Sequence, residues 1–209
     1  MNTQGTMQGL DIDIITALCQ QMKVKCHFVN APWDSLIPGL KLGKFDVIFG
    51  AMNITIARAK QVAFTQPYYF AQARFVARKN PGFTLDKKSL RHKTMGVQLG
   101  NTMQFYLQHT YGDTIKIKLY GSIQQAFLDL TAGRIDAVFS DQPVISAWLQ
   151  DGNNKNYAFL KHVVHSEKYF AAGYGIAVRK GNDQLLAKLN HAINAIKKNG
   201  VYKKIIARY

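Results

Sequence analysis

An arginine and an aspartate each stand where the chain leaves a predicted buried strand, and both are suited to binding a charged ligand. Arg58 follows the apolar run 45–49 after a short polar turn, and its planar guanidinium can donate two parallel hydrogen bonds to a carboxylate. Asp141 ends a second strand-like run, 133–141, where an acid either caps the next helix or binds a cation. Because a lone arginine is more often a solvated or ion-paired surface residue, the surrounding sequence has to decide between these interpretations.

The elements that would position these two residues share one pattern. Residues 36–49 and 127–139 each predict a helix, then a glycine, a basic residue, an apolar residue and an aspartate, then a buried strand. This echo predicts two lobes of similar α/β construction. Open α/β sheets bind ligands at the carboxyl ends of their strands, and both charged residues follow such ends.

The remaining helices and strands follow from periodicity and turn residues. Apolar residues at helical spacing predict a helix over 9–19, and its two acids, Asp11 and Asp13, lie in the first turn, where the helix dipole favours them. We expect these acids only to cap and charge the start of the helix. Further strands are predicted over 24–30, 70–79, 115–120 and 169–178, and further helices over 122–132, 142–149, 184–198 and 200–206.

Two loop features are also candidates for ligand contact. Trp33 precedes a predicted helix start, where Asp34 or Ser35 is the cap, and a large aromatic there is more often a core residue than a binding one. Residues 93–102 predict a strand, a glycine turn and a helix N-terminus, whose unpaired backbone N–H groups suit an anion. A phosphate loop is excluded because no Gly-Lys-Ser/Thr follows the turn.

Composition narrows the classes of function. The chain has 209 residues, and 27 Lys+Arg against 12 Asp+Glu give a formal charge of +15. This charge would suit nucleic acid, but the basic residues are scattered and no recognition motif is present, so we expect no nucleic-acid partner. No apolar run is long enough to span a bilayer. The spacing of the two cysteines and six histidines fits no metal cluster, and no cofactor is expected.

Two segments of the sequence carry specific motifs. In Gly9–Cys19 a glycine is followed by alternating apolar and acidic residues and a helix. In Gly50–Tyr69 the order is Ile-Thr-x-x-Arg, then Phe-Thr-Gln-Pro-Tyr-Tyr. Both segments resemble the bacterial periplasmic solute-binding proteins for polar amino acids, which are the extracytoplasmic receptors of ABC importers. The resemblance covers essentially the whole chain and is closest to the arginine and lysine-arginine-ornithine binders.

This resemblance implies a two-lobe α/β fold of the type II periplasmic-binding-protein class, in which each lobe is a mixed sheet flanked by helices. Lobe 1 would comprise residues 1–70 and 175–209, and lobe 2 residues 75–170. The hinge strands would lie at about 70–74 and 171–175. The chain begins directly upstream of the Gly-Leu-Asp-Ile-Asp-Ile motif, so we expect a member that lacks the usual secretion signal and first strand.

The resemblance also implies roles for individual residues. Arg58 would bind the α-carboxylate of a free amino acid together with Thr102, and Asp141 would receive the α-ammonium. Trp33 would stack on the ligand side chain near Gln98. The expected ligand-binding set is completed by three residues that replace hydroxyl-bearing ones common in the family: Gly50, Ala51 and Asn53.

The two cysteines leave two interpretations open when taken alone, because Cys19 and Cys26 could be buried thiols or a disulfide. A pair at this helix-to-strand position is bridged in the resembled family, and a bridge implies an oxidising compartment. The resemblance therefore implies a disulfide between Cys19 and Cys26.

The function implied is that of a periplasmic receptor without catalytic residues. It would capture an L-amino acid, arginine first and then lysine, ornithine or histidine, and deliver it to an inner-membrane ABC permease. A monomer is expected, with a strand-completing dimer as the alternative. The alternatives in function are a cyclohexadienyl or arogenate dehydratase on the same fold, for which we find no coupled acid–base pair, and a signalling or adhesive surface protein.

Overall fold

The computed structural model describes residues 7–209, and the chain divides into two compact units. The first unit comprises Leu36–Phe70, Ala172–Tyr209 and the described part of Met1–Ala31. The second unit comprises Ala71–Ala171 together with the short segment Pro32–Ser35. Each unit combines helices with a sheet of its own, so the mixed α/β character predicted from the sequence is confirmed.

The first unit is built on a small antiparallel sheet with the strand order β1-β8-β2. Its strands are short: β1 is Val47–Ile48, β2 is Ala63–Phe64 and β8 is Ala177–Val178. Its helices are α1 Leu10–Gln21, α2 Leu36–Lys41, α3 Ile56–Ala59, α7 Asp183–Lys198 and α8 Val201–Ile206.

Helices α1, α7 and α8 pack against one another. The predicted apolar stripes account for this packing, since α1 buries Ile14 and Leu18 while α7 buries Leu189 and Ile193. The three helices thereby supply much of the core of the first unit.

The second unit contains a five-stranded sheet. The strands are β3 Ala73–Arg78, β4 Thr94–Gln98, β5 Lys116–Tyr120, β6 Ala137–Asp141 and β7 Tyr157–Val164. Their order is β5-β4-β6-β3-β7, and β4 runs parallel to β5 and β6, whereas β3 runs antiparallel to β6 and β7. The helices are α4 Thr102–Tyr111, α5 Ile123–Thr131 and α6 Gln142–Leu149.

Both faces of this sheet are buried, because alternate residues of the central strands enter different clusters. Phe75 and Phe139 stack with ring centroids 4.1 Å apart in one cluster, while Val76 and Val138 belong to the other. Gly96 in β4 lies beneath Ile135, whose Cδ1 would be 2.5 Å from an added Cβ. A larger residue at position 96 would therefore displace the packing over the strand that precedes helix α4.

Two of the predicted strands are wrong. Residues 24–30 form no strand, and their apolar side chains Val24, Phe28 and Val29 are exposed, because no strand among residues 7–209 pairs with this segment. The strand predicted over 169–178 is reduced to β8, since Tyr169 and Phe170 lie in a turn and Tyr174 makes only isolated bridges, to Asn53 and Tyr69. Strand β7 was not predicted from the sequence.

The predicted disulfide between Cys19 and Cys26 is confirmed and links the end of α1 to the exposed segment after it. Val24 N also donates to Cys19 O at 3.0 Å, so both the disulfide and a backbone hydrogen bond constrain the loop between the cysteines. Among the helices that the structure describes, none has the length and apolar character to cross a membrane.

Reduction of the disulfide should lower the free energy of unfolding by about 2 to 3 kcal/mol, because the bridge closes a short loop and restricts the unfolded chain. Urea unfolding with and without dithiothreitol measures the change. The matched control is the double variant Cys19→Ala/Cys26→Ala, whose midpoint should not respond to the reductant. An equal midpoint for the reduced and oxidised wild-type protein would contradict the prediction.

Candidate functional site

Arg58 lies in the short helix α3 of the first unit and is held from two directions. Its backbone N–H donates to Thr55 Oγ1 at 3.2 Å, which makes Thr55 the N-cap of α3. Its Nη1 donates to the backbone carbonyl of Asn53 at 2.8 Å. Only 8% of Arg58 is exposed, so its guanidinium is a cation of fixed orientation with the geometry for two-point carboxylate binding.

The carbonyl that anchors Arg58 belongs to a segment with unusual backbone conformation. Gly50 has a φ of 153° and Ala51 a φ of 52°, and the second value lies in the left-handed region that a residue with a Cβ rarely adopts. Ala51 N donates to the hydroxyl of Tyr68 at 3.1 Å, and this hydroxyl donates to Asp11 Oδ1 at 2.9 Å. The first unit thus contains all four of the predicted residues Gly50, Ala51, Asn53 and Arg58. Two further residues, Asp11 and Tyr68, are linked to this segment by hydrogen bonds.

The expectation that Asp11 only caps and charges the helix start is wrong. Burial raises the pKa of its carboxyl from 3.8 to about 6, against the opposing effect of hydrogen bonds from Tyr68 and from the backbone of Ala51. Asp13, two residues further along α1, instead binds the end of the chain. It pairs with Arg208 at 2.9 Å and accepts a hydrogen bond from the Tyr209 hydroxyl at 2.8 Å. The sequence signal for Asp11 was the Gly-Leu-Asp motif, but its partner is 57 positions away.

In the second unit the strand order brings two loops to one edge of the sheet. Strands β4 and β6 are parallel neighbours, so the residues that follow their carboxyl ends lie at the same edge. Gln98 ends β4 and Thr102 begins α4 after the glycine turn, whereas Asp141 ends β6 and stands at the N-cap position of α6. Three predicted site residues are therefore neighbours in the sheet order of this unit.

The start of α4 is organised by its own side chains. The Asn101 side chain accepts from Gln104 N at 3.1 Å, and Gly100 N donates to Gln104 Oε1 at 2.8 Å. Gly100 has a φ of 76°, which favours glycine at the turn. Thr102, with 4% exposure, is the first helical residue, so its backbone lies where the helix presents positive charge to an anion.

Trp33 lies against this turn. Its Nε1 donates to Gly100 O at 3.3 Å, and its Cδ1 would be 3.7 Å from a Cβ built on Gly100. The ring is only partly buried, so it keeps surface for stacking. Gln98 directs its amide to Gly121 O at 3.4 Å. The four predicted residues of this unit thus belong to the glycine turn, the tryptophan beside it and the neighbouring strand end.

The residues that the structure describes contain no group of three or more His, Cys, Asp or Glu side chains placed to hold a metal ion. Taken by itself, the fixed guanidinium of the first unit suits a carboxylate. In the second unit, the helix N-terminus suits an anion and the carboxylate at the strand end suits an ammonium.

An α/β chain with these groups beyond its strand ends has the features of a binding protein for small charged solutes. It belongs to the bacterial extracellular solute-binding proteins, family 3, whose family model matches residues 1–209. The resemblance and the fold class predicted from the sequence are thereby confirmed, except that the sheet of the first unit is antiparallel and not mixed.

Similar proteins carry arginine in their names. The chain is 44% identical to ABC transporter arginine-binding protein 1 of Escherichia coli K12, over 94% of this chain and 79% of that protein. It is 41% identical to the L-arginine-binding protein of Pseudomonas aeruginosa, over 98% of this chain and 80% of that protein. These relatives are binding proteins and not enzymes.

Among solved structures, a Salmonella typhimurium periplasmic binding protein with high arginine specificity superposes with a TM-score of 0.93. Its sequence is 35% identical, and the match covers 100% of this chain and 91% of that one. The two chains therefore share one fold.

The raised pKa of Asp11 predicts a pH-dependent contribution to stability. Because the folded-state pKa of about 6 exceeds the ordinary value of 3.8, protonation favours the folded state. This contribution is fully present below pH 3.8 and is lost as the pH rises through about 6. Relative to Asp11→Asn, the wild-type protein should lose about 3 kcal/mol at most between about pH 4 and pH 7. Urea unfolding of both proteins across this range measures the difference, and parallel curves would contradict it.

Proposed function

We propose that this protein is the extracytoplasmic receptor of an ABC importer and that it binds a free L-amino acid with a basic side chain. Arginine is the first choice, followed by lysine, ornithine and histidine. The observation that carries the proposal is the buried Arg58 guanidinium, held on the Asn53 carbonyl at 2.8 Å. The arginine-binding relatives support the choice of ligand.

Arg58 and the start of α4 are the proposed partners of the α-carboxylate. A guanidinium fixed by one hydrogen bond loses little freedom when it binds, because its planar fork is already oriented. Thr102 adds a hydroxyl and a backbone N–H at the helix N-terminus, where the helix dipole favours a negative group. Gly50, Ala51 and Asn53 contribute backbone and amide groups to the same end of the ligand.

Asp141 is the proposed partner of the α-ammonium. It ends β6, where its carboxylate stands at the ligand-binding edge expected for an α/β sheet. A carboxylate and an ammonium form a charge-assisted hydrogen bond, which is stronger than one between neutral groups. Asp141 together with Arg58 would therefore select α-amino acids over solutes with only one charge.

Trp33 and Gln98 are the proposed contacts of the ligand side chain. A flat indole suits a guanidinium or the stem of an ammonium, and a glutamine amide can accept a hydrogen bond from either. Local groups have to supply this selectivity, since a protein of formal charge +15 repels a cationic ligand at long range.

The same family membership supports the cellular setting that we propose. We propose the periplasm as the location, and the Cys19–Cys26 disulfide suits that oxidising compartment. The partner would be an inner-membrane permease, and the receptor would act as a monomer. Residues 1–70 and 175–209, apart from the segment Pro32–Ser35 that clusters with the second unit, would form one lobe and residues 75–170 the other, with hinges at about 70–74 and 171–175.

Arg58→Lys should weaken the binding of L-arginine about tenfold or more, because an ammonium keeps the charge but loses the two-point geometry. Isothermal titration calorimetry measures the dissociation constant. Arg78→Lys is the matched control, since Arg78 is exposed and its guanidinium lies 5.6 Å from the ring centroid of Tyr157. The assigned role would be contradicted if both substitutions weakened the binding of L-arginine equally, or if neither weakened it. L-arginine should also be recovered unchanged after prolonged incubation.

Asp141→Asn should weaken L-arginine binding about tenfold, because the ammonium loses its anionic partner. The same substitution should have little effect on the binding of Nα-acetyl-arginine, which lacks the ammonium. Asp113→Asn, at an exposed position, controls for the change in net charge. The role of Asp141 would be refuted if both ligands lost affinity equally in the Asp141 variant.

A further inference from the structure

We infer that Asp11 is a positioning residue of the ligand site, which acts through the hydroxyl of Tyr68 on the backbone that anchors Arg58. This inference rests on the proposed function, because it assigns Asp11 a part in the binding of the amino acid. All the contacts that carry it lie within the first unit.

The connection runs through the Tyr68 hydroxyl, beside a direct hydrogen bond from the backbone of Ala51 to Asp11. Tyr68 Oη donates to Asp11 Oδ1 at 2.9 Å and accepts from Ala51 N at 3.1 Å. Two residues further along, the carbonyl of Asn53 accepts from Arg58 Nη1 at 2.8 Å. Asp11 is therefore linked to the proposed carboxylate-binding guanidinium by two hydrogen bonds, a short piece of backbone and a third hydrogen bond.

The backbone at this point needs such support. Ala51 has a φ of 52°, a left-handed conformation that costs free energy in a residue with a Cβ and that persists only where the surroundings enforce it. On the side of Gly173–Gly175 the segment is fixed by Ile54 N donating to Gly173 O and Gly175 N donating to Met52 O. The Tyr68 hydroxyl holds Ala51 N as a further constraint.

Tyr68 is itself immobilised, so its hydroxyl acts as a fixed point. The side chain is 1% exposed and stacks on Phe49 with ring centroids 4.7 Å apart. Its backbone N–H donates to Tyr174 O at 2.9 Å, and its carbonyl accepts from the Tyr202 hydroxyl at 2.6 Å. Replacement of Asp11 should therefore act on the hydrogen bonds of this hydroxyl and not on the place of the ring.

Stability does not explain an acid at this position. Burial raises the pKa of Asp11 to about 6, which means that its ionised form costs folding free energy at neutral pH. Its hydrogen-bond partners are a phenol and a backbone amide. Both are donors, and they suit a carboxylate whose purpose is to orient them.

Two phenols, two basic side chains and one further acid are the other ionisable groups to consider beside the Asp11 carboxylate. Burial and the charge of Asp11 raise the pKa of Tyr69, and burial raises that of Tyr202, so both phenols keep their protons. From α7, Lys197 Nζ donates to Pro67 O. Asp13 on α1 is paired with Arg208. A pH effect on ligand affinity that depends on Asp11 is therefore a usable signature.

The experiment compares three variants by isothermal titration with L-arginine, well below the unfolding midpoint of each. Asp11→Asn removes the charge, and Tyr68→Phe removes the hydroxyl while retaining the ring that stacks on Phe49. The matched control is Asp13→Asn, which makes the same substitution in the same helix turn but removes contacts to Arg208 and Tyr209 only. Thermal unfolding of each variant is recorded in parallel.

We expect Asp11→Asn and Tyr68→Phe each to weaken binding about tenfold at about pH 7.5. Asp11→Asn replaces a charged acceptor with a weaker neutral one, and Tyr68→Phe removes the hydroxyl that accepts from Ala51 N. Asp13→Asn should bind like the wild-type protein. The wild-type affinity should fall from about pH 7.5 to about pH 5, because protonation of Asp11 removes the negative charge that strengthens the hydrogen bond from Tyr68, and this dependence should disappear in Asp11→Asn.

Three results would overturn the inference. The first is an affinity for L-arginine in both Asp11→Asn and Tyr68→Phe that equals that of the wild-type protein. The second is a loss of affinity in Asp13→Asn as large as that in Asp11→Asn. The third is a parallel pH dependence in the wild-type protein and Asp11→Asn. If Asp11→Asn does not fold, Tyr68→Phe alone decides by the same criterion. Absence of binding by the wild-type protein to any basic amino acid would refute the proposed function as well, whereas the first three results leave it standing.

Discussion

The proposed site depends on one guanidinium kept in a fixed direction with only 8% of its residue exposed. Removing a charge from water is costly unless hydrogen bonds replace the lost hydration. The Asn53 carbonyl provides such a bond to Arg58, and the short helix α3 fixes the backbone of Arg58 through its Thr55 cap. The segment after β1 thus offsets part of the free energy that is needed to bury the Arg58 guanidinium. The conformation of this segment in turn requires Ala51 to be left-handed.

The second unit positions its candidate binding groups through the order of its strands. It presents a helix start and a carboxylate at one edge because β4 and β6 are parallel neighbours in the sheet. The order of the strands, and not local sequence, places Thr102 and Asp141 at the same edge of this sheet. Gly96 contributes indirectly, since its missing side chain leaves room for Ile135 over the strand that leads to α4.

Helices were easier to predict from the sequence than strands. The apolar stripes of α1 and α7 and the end points of α6 were read correctly, since helical periodicity reports a face that any core can bury. The strand predicted over 24–30 is absent, because alternation of residue types does not reveal whether a pairing partner exists. Strand β7 was missed and 169–178 was overextended for the same reason. The short strands β1 and β8 are defined by their mutual pairing.

The charged residues of the candidate site were found from their place after predicted strands and from the family resemblance. Asp11 was noticed but given the wrong role, because the first turn of a helix explains an acid without further partners. Its actual partner, Tyr68, is distant in the sequence, and burial of the carboxylate follows only from the packed structure. Residues that act through another side chain leave the weakest trace in a single sequence.

The central claim is that Arg58 binds the α-carboxylate of a free basic amino acid. The structure of a crystal grown with L-arginine tests this claim most directly. The account predicts two hydrogen bonds of about 2.8 Å between the Arg58 guanidinium and the ligand carboxylate, with the ammonium on Asp141. A ligand bound in the reverse direction, with its side chain toward Arg58, or a crystal that contains no ligand at saturating arginine, would contradict it.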